Sequence, residues 1–133
     1  MVKARKRKNC RGAATVEAAI VLFVLFLLTF GIIEYGWLFL KLHQITNAAR
    51  SGVRVAVRYG SMEKEVTDTI SNLMTAAKMA GKYDVIYTPA AQTGDPVTVD
   101  VNVPCESVAI MKVPFLPLPP HLSASVTMAK EGP

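Results

Sequence analysis

The sequence has few of the residues from which catalytic and metal sites are built. Its 133 residues include two histidines and two cysteines. His43 and His121 have no cysteine or carboxylate neighbour at the spacing of a metal-binding motif. A glycine-rich phosphate loop and a nucleophile motif are both absent from the sequence. We therefore expect a protein that is not an enzyme and that needs no metal or cofactor.

The first twelve positions contain no acidic residue, so the positive net charge of the chain, +5, comes from this segment. The remaining residues hold nine basic and ten acidic side chains. A nucleic-acid-binding domain spreads its positive charge over a folded face, so a basic-tailed nucleic-acid binder is disfavoured. The six basic residues of the N-terminal segment are Lys3, Arg5, Lys6, Arg7, Lys8 and Arg11.

A long apolar run follows this basic segment. Ala18–Leu40 is interrupted by one charge, Glu34, and as a helix would be about 35 Å long, enough to span a bilayer. The basic flank should stay cytoplasmic, and Tyr35 and Trp37 fit an aromatic belt at the outer interface. A secretory signal peptide has a shorter apolar region and a small-x-small cleavage site. The sequence therefore predicts one transmembrane helix, with an uncleaved anchor as an open alternative.

Two acidic residues lie in or beside this run. An ionised carboxylate in a bilayer costs about 2.5–3.5 kcal/mol unless it is paired. If the chain is cut after Gly12, the new amine of Ala13 lies one helical turn from Glu17 and can neutralise it, as can the amine of a neighbouring subunit. For Glu34 two interpretations stay open: a pair with a neighbouring subunit or basic platform residue, or an interfacial carboxylate.

Beyond residue 41 the apolar residues change from helical to strand spacing. Three-to-four spacing predicts that the first helix continues over 42–59 and that a second helix ends near Ala80. Alternation predicts strands over Asp84–Thr88, Val97–Val103 and Leu122–Met128. The expected fold is α+β: a long N-terminal transmembrane helix that continues into an extracytoplasmic helix, a second helix and a small antiparallel sheet.

Several residues that could suggest a site have a simpler structural interpretation. An arginine row at helical spacing is typical of a solvated face, and methionines on an apolar helix face are typical of packing. We expect the first for Arg50, Arg54 and Arg58, and the second for Met74 and Met79.

The cysteines and the prolines also have structural interpretations. Cys10 and Cys105 are predicted to lie on opposite sides of the membrane, so they cannot pair, and we expect Cys105 to be buried at a strand end. Four prolines exclude Val113–Pro120 from a central strand, and this segment should be an extended connection.

Three segments of the chain carry a family resemblance, with a weaker recurrence near the C-terminal end: Arg11–Glu17, Phe30–Gly36 and Thr46–Gly52, and then Leu122–Met128. They resemble the TadE-like family, whose members are minor pilins or pseudopilins of the tight-adherence (Flp) pilus. The resemblance implies a pilin-like architecture for the expected α+β fold. The resemblance implies a prepilin leader that a membrane aspartic peptidase removes after Gly12 on the cytoplasmic face. It also implies roles in assembly for Glu17, the fifth mature residue, and for Glu34 in a Gly-x-x-Glu-aromatic-Gly pattern.

The expected organisation is a cleaved leader over 1–12, a transmembrane helix over 13–42 and an extracytoplasmic domain over 43–133. The resemblance implies a location in the bacterial inner membrane or in the pilus. The expected partners are prepilin peptidase, other pilins and pseudopilins, the inner-membrane assembly platform and the lipid bilayer. Two alternatives stay open: an uncleaved anchor that displays a small binding domain, and a pseudopilin of a related type II secretion system.

Overall fold

Two helices precede three strands in the computed structural model, which describes residues 11–111 and 117–132. The helices are α1 (Arg11–Ala56) and α2 (Glu63–Ala76). The strands are β1 (Asp84–Thr88), β2 (Pro96–Pro104) and β3 (His121–Ala129), with a short 3-10 turn after β2. The α+β prediction is confirmed. The basic residues at positions 3–8, Cys10 and the first half of the proline-rich segment, residues 113–116, lie outside the described residues.

The chain divides into two compact units, and the boundary in the sequence lies between Ile33 and Glu34. The first unit is the N-terminal part of α1. Its described side chains from Gly12 to Phe30 are all exposed, although most of them are apolar. Among the described residues, α1 is the one helix that is long and apolar enough to cross a membrane. Residues 13–33 as a helix are about 31 Å long, which matches the hydrocarbon core of a bilayer.

The second unit begins with the rest of α1, which buries one face. Its buried residues recur at intervals of three and four, so they share one side of the helix. Arg50 and Arg54 lie on the exposed side of α1, as predicted. The helix ends at Ala56, before the predicted residue 59, and Arg58 is exposed just beyond this end. The buried residues of this face are Glu34, Leu38, Lys41, Ile45, Ala48, Ala49, Gly52, Val53 and Ala56.

Helix α2 packs against α1 through Val66, Ile70 and Met74, which are all fully buried. The closest approach is at Gly52 of α1. A Cβ at that position would lie 2.7 Å from two side-chain carbons of Ile70, so the packing leaves no room for a larger residue.

Helix α2 ends at Ala76, earlier than the predicted end near Ala80. Lys78 has a φ of 59°, and the N–H of Met79 bonds to the carbonyl of Met74 at 2.8 Å. These are features of a Schellman cap, in which the residue after the left-handed position, here Met79, often packs against the residue whose carbonyl it binds, here Met74. Both methionines are fully buried, which confirms that they are packing residues.

The three strands form one antiparallel sheet in the order β1-β2-β3. Alternate residues of β2 point into the core, as the sequence alternation predicted. The other face of the sheet is polar, and across it the hydroxyls of Thr98 and Thr127 form a hydrogen bond of 2.8 Å. Cys105 follows β2 and is 1% exposed, as predicted. The fully buried residues of β2 are Val97, Val99, Val101 and Val103.

Candidate assembly site

The predicted cleavage site lies in the first turns of α1. Gly12, Ala13 and Glu17 are helical and exposed, and the Thr15 hydroxyl donates to the Gly12 carbonyl at 2.8 Å. Four residues along a helix give a rise of about 6 Å, so Ala13 and Glu17 are one turn apart on the same face. Glu17 has no ion pair with any residue that the structure describes. The assignment of these residues to cleavage and assembly stays a prediction.

Glu34 lies in a different environment, as the first residue of the second unit. Its side chain has no exposed surface. Carboxylate atom Oε1 accepts the backbone N–H of Ile110 at 3.0 Å, and Oε2 accepts the N–H of Met111 at 2.9 Å. Consecutive backbone N–H groups that converge on one anion form a well-known anion-binding arrangement. This carboxylate therefore has hydrogen-bond partners within its own chain.

Two aromatic residues beside Glu34 bind the same segment, which joins β2 to β3. The indole N–H of Trp37 donates to the carbonyl of Val108 at 2.9 Å, and the Tyr35 hydroxyl donates to the carbonyl of Pro117. The sequence pattern indicated an interfacial aromatic belt for both residues. The structure adds a specific partner for each polar atom, so both side chains help to fix this segment on α1.

Lys41 attaches the end of α2 to the same helix. The residue is 6% exposed, and its Nζ donates to the carbonyl of Ala77 at 2.6 Å. Ala77 is the C-cap of α2, where a positive charge also interacts favourably with the helix dipole. The same Nζ lies 4.9 Å from the ring centroid of Trp37, within the range of a cation–π interaction.

The structure separates the two acidic residues that the sequence assigned to assembly. Glu17 lies in the first unit and Glu34 in the second. The role of Glu34 in assembly stays a prediction, but its intrachain hydrogen bonds are a contact that sequence reasoning missed. The available signal was an acid at the centre of the Gly31-x-x-Glu34-Tyr35-Gly36 motif. Among the residues described, no cluster of metal-ligating side chains is found.

A comparison with protein families gives one match, to the family described as TadE-like protein, over residues 12–54. The resemblance expected from the sequence is confirmed for this segment, which contains Gly12, Glu17 and Glu34. The match covers less than half of the chain, and residues 55–133 lie outside it. No curated protein and no solved structure matches the chain.

Proposed function

From the match of residues 12–54 to the TadE-like family, we propose that this protein is a minor pilin, or pseudopilin. Prepilin peptidase removes the leader after Gly12 on the cytoplasmic face. The apolar helix then anchors the chain in the bacterial inner membrane, with the second unit on the extracytoplasmic side. There the protein acts with other pilins and the assembly platform to build a Tad-type pilus.

The exposed apolar surface of the first unit supports this proposal. Phe23 and Val16 are 66% and 61% exposed, and side chains of this kind need lipid or other apolar helices around them. A helix that can pass from a bilayer to a bundle of similar helices meets that need in both states. In the Tad pilus system that the family match suggests, such a transfer would take the helix from the inner membrane into the pilus.

The position of Glu17 supports processing after Gly12. Glu17 lies in the apolar segment without an ion-pair partner among the described residues, and an unpaired carboxylate in a membrane is costly. Cleavage creates an amine at Ala13, one helical turn away. The same amine on a neighbouring subunit would also neutralise Glu17, and that arrangement would couple charge pairing to assembly.

The intact mass of the protein from its native membrane tests the processing step. We expect a chain that begins at Ala13, and a chain that still begins at Met1 or Val2 would overturn the proposal. Gly12→Leu is the matched control, because a bulky residue at the cut site should leave the leader in place. Loss of the leader in this variant would show that the cut lies elsewhere.

The substitution Glu17→Ala tests the role of this carboxylate in assembly. We expect normal cleavage and a loss of incorporation into pili, measured by immunoblotting of sheared pili. Glu63→Ala removes an exposed acid from the second unit and should leave incorporation unchanged. Normal incorporation of Glu17→Ala would exclude the carboxylate from the mechanism.

A second candidate function is an uncleaved membrane anchor that displays a binding domain. The second unit favours it, because this unit has its own buried core of helix and sheet residues. The intact mass separates this candidate from the pilin. A pseudopilin of a type II secretion system would also be cleaved, and deletion of the gene would then abolish secretion rather than piliation.

A further inference from the structure

The second unit carries exposed apolar side chains where the chain enters it. Tyr35, Phe39, Leu40 and Ile110 are 44%, 61%, 48% and 54% exposed, and we call these four residues the entry rim. Phe39 and Leu40 lie on the side of α1 that faces away from its buried residues, and Tyr35 lies at the edge of the buried face, where its hydroxyl bonds to the carbonyl of Pro117. Isolated exposed apolar residues are normal on proteins, but three of these residues lie within the six that follow Glu34 in α1, and the backbone of Ile110 is bonded to Glu34 itself.

Ile110 belongs to this region because its backbone is held there. Its N–H lies 3.0 Å from the carboxylate of Glu34, so Ile110 is level with the first residue of the unit. The bond from Trp37 to the carbonyl of Val108 holds the same segment two residues earlier. The exposed side chain of Ile110 is therefore presented by a fixed backbone.

Covalent continuity indicates what covers the entry rim. Glu34 directly follows Ile33, the last residue of an apolar segment that is long enough to cross the hydrocarbon core. The first turns of the second unit must then begin close to the headgroup region. This region favours amphipathic aromatic side chains such as Tyr35, and apolar residues on an interfacial helix are buried about 5–10 Å into the headgroup–acyl boundary.

We propose that the second unit rests on the bilayer surface through the entry rim, with the side chain of Ile110 inserted into the headgroup–acyl boundary. The membrane segment then ends near Ile33, earlier than the predicted 13–42. The two amides that bind Glu34 shield its carboxylate from lipid at this depth. The inference rests on the membrane anchor of the proposed function but not on cleavage of the leader.

The test is spin-label accessibility in the full-length protein, reconstituted at one copy per lipid nanodisc. A nitroxide is attached to a single introduced cysteine in a Cys10→Ser background, and the unsubstituted background corrects for labelling of Cys105. Ile110→Cys is the test position. Ile86→Cys is the matched control, because Ile86 is 56% exposed on the polar face of the sheet. Leu25→Cys reports on the membrane anchor itself.

We expect the label at position 110 to resemble the label at position 25. Its collision rate with oxygen should exceed that with a water-soluble nickel complex severalfold, whereas the label at position 86 should show the reverse. Aqueous behaviour at 110 with lipid behaviour at 25 would overturn the inference and leave the anchor intact. Aqueous behaviour at both positions would overturn the anchor as well.

A second copy of the chain is the competing occupant of the entry rim. If a second copy covers the entry rim, the label at position 110 should be accessible to the nickel complex at one copy per disc. It should become shielded from both collision reagents when several copies share a disc. That result would overturn the bilayer contact in favour of an interface between subunits. Circular dichroism of each labelled protein confirms that the substitution has not unfolded the unit.

Discussion

Replacing Glu34 with alanine should loosen the segment that joins β2 to β3. The substitution removes both acceptors of the Ile110 and Met111 amides. It also leaves a space where a fully buried side chain had been. The other two contacts between this segment and α1, from Tyr35 and Trp37, stay in place, so the effect should be local.

The magnitude follows from the two hydrogen bonds. A hydrogen bond to a charged group contributes about 1.5–3 kcal/mol, and water that reaches the freed amides recovers part of the loss. We therefore expect Glu34→Ala to lower the free energy of local opening by about 2–4 kcal/mol. Glu34→Gln keeps one acceptor and should lose about 1–2 kcal/mol. A change of 1.4 kcal/mol alters the equilibrium constant of local opening tenfold. Exchange of the two amides should therefore accelerate about 30- to 700-fold in Glu34→Ala.

Amide hydrogen exchange of the full-length protein in detergent micelles measures this effect. Glu106→Ala is the matched control, because Glu106 is an exposed acid in the 3-10 turn of the same segment. It should leave exchange at Ile110 and Met111 unchanged. The reasoning is refuted if Glu34→Ala remains folded and these two amides exchange at the wild-type rate.

Two further predictions concern the core of the second unit. Gly52→Ala should destabilise it by about 1–3 kcal/mol, because the new Cβ would lie 2.7 Å from the Ile70 side chain. Gly36→Ala meets nothing within 4 Å and should stabilise α1 by about 0.5–1 kcal/mol. Equal shifts of the two variants in urea unfolding would contradict this packing. Burial raises the pKa of the Cys105 thiol, so maleimide should modify it far more slowly in the folded protein than in urea. Since the folded state favours the neutral thiol, its contribution to stability should be complete below about pH 8.5 and decrease above it, where the unfolded thiol ionises. A stability slope in this range that Cys105→Ala leaves unchanged would rule out the thiol as its source.

The strands could be predicted from the sequence to within a residue or two at each end. Asp84–Thr88 is predicted and observed with the same bounds, and Val97–Val103 lies within β2. This accuracy has a physical reason, because alternation along a half-buried strand directly records which face meets the core. The predicted end of α2, near Ala80, was wrong. The left-handed residue that caps the helix is Lys78, and a lysine gives little indication of that conformation.

The environment of Glu34 could not be predicted from the sequence. An acid in an apolar run is visible, but its partners are backbone amides 76 and 77 residues later in the chain. Every residue except proline has such an amide, so no side-chain pattern marks the two that bind. For the same reason, the sequence does not indicate the partner of Lys41, which is the backbone carbonyl of Ala77. The positions of the charged residues were predictable, and their partners required the fold.

The long separation between Glu34 and its two amides has a consequence for biosynthesis. At about 5–20 residues per second, a ribosome needs roughly 4–15 s to pass from Glu34 to Met111. Throughout that interval the apolar segment is already complete, but the two backbone N–H groups that donate to the carboxylate of Glu34 have not yet been synthesised. A nascent chain that stops before residue 110 keeps an unsatisfied acid beside its membrane segment. Only a chain translated through Met111 can form both hydrogen bonds to this carboxylate, so the contact distinguishes chains that extend past Met111 from chains that terminate before it.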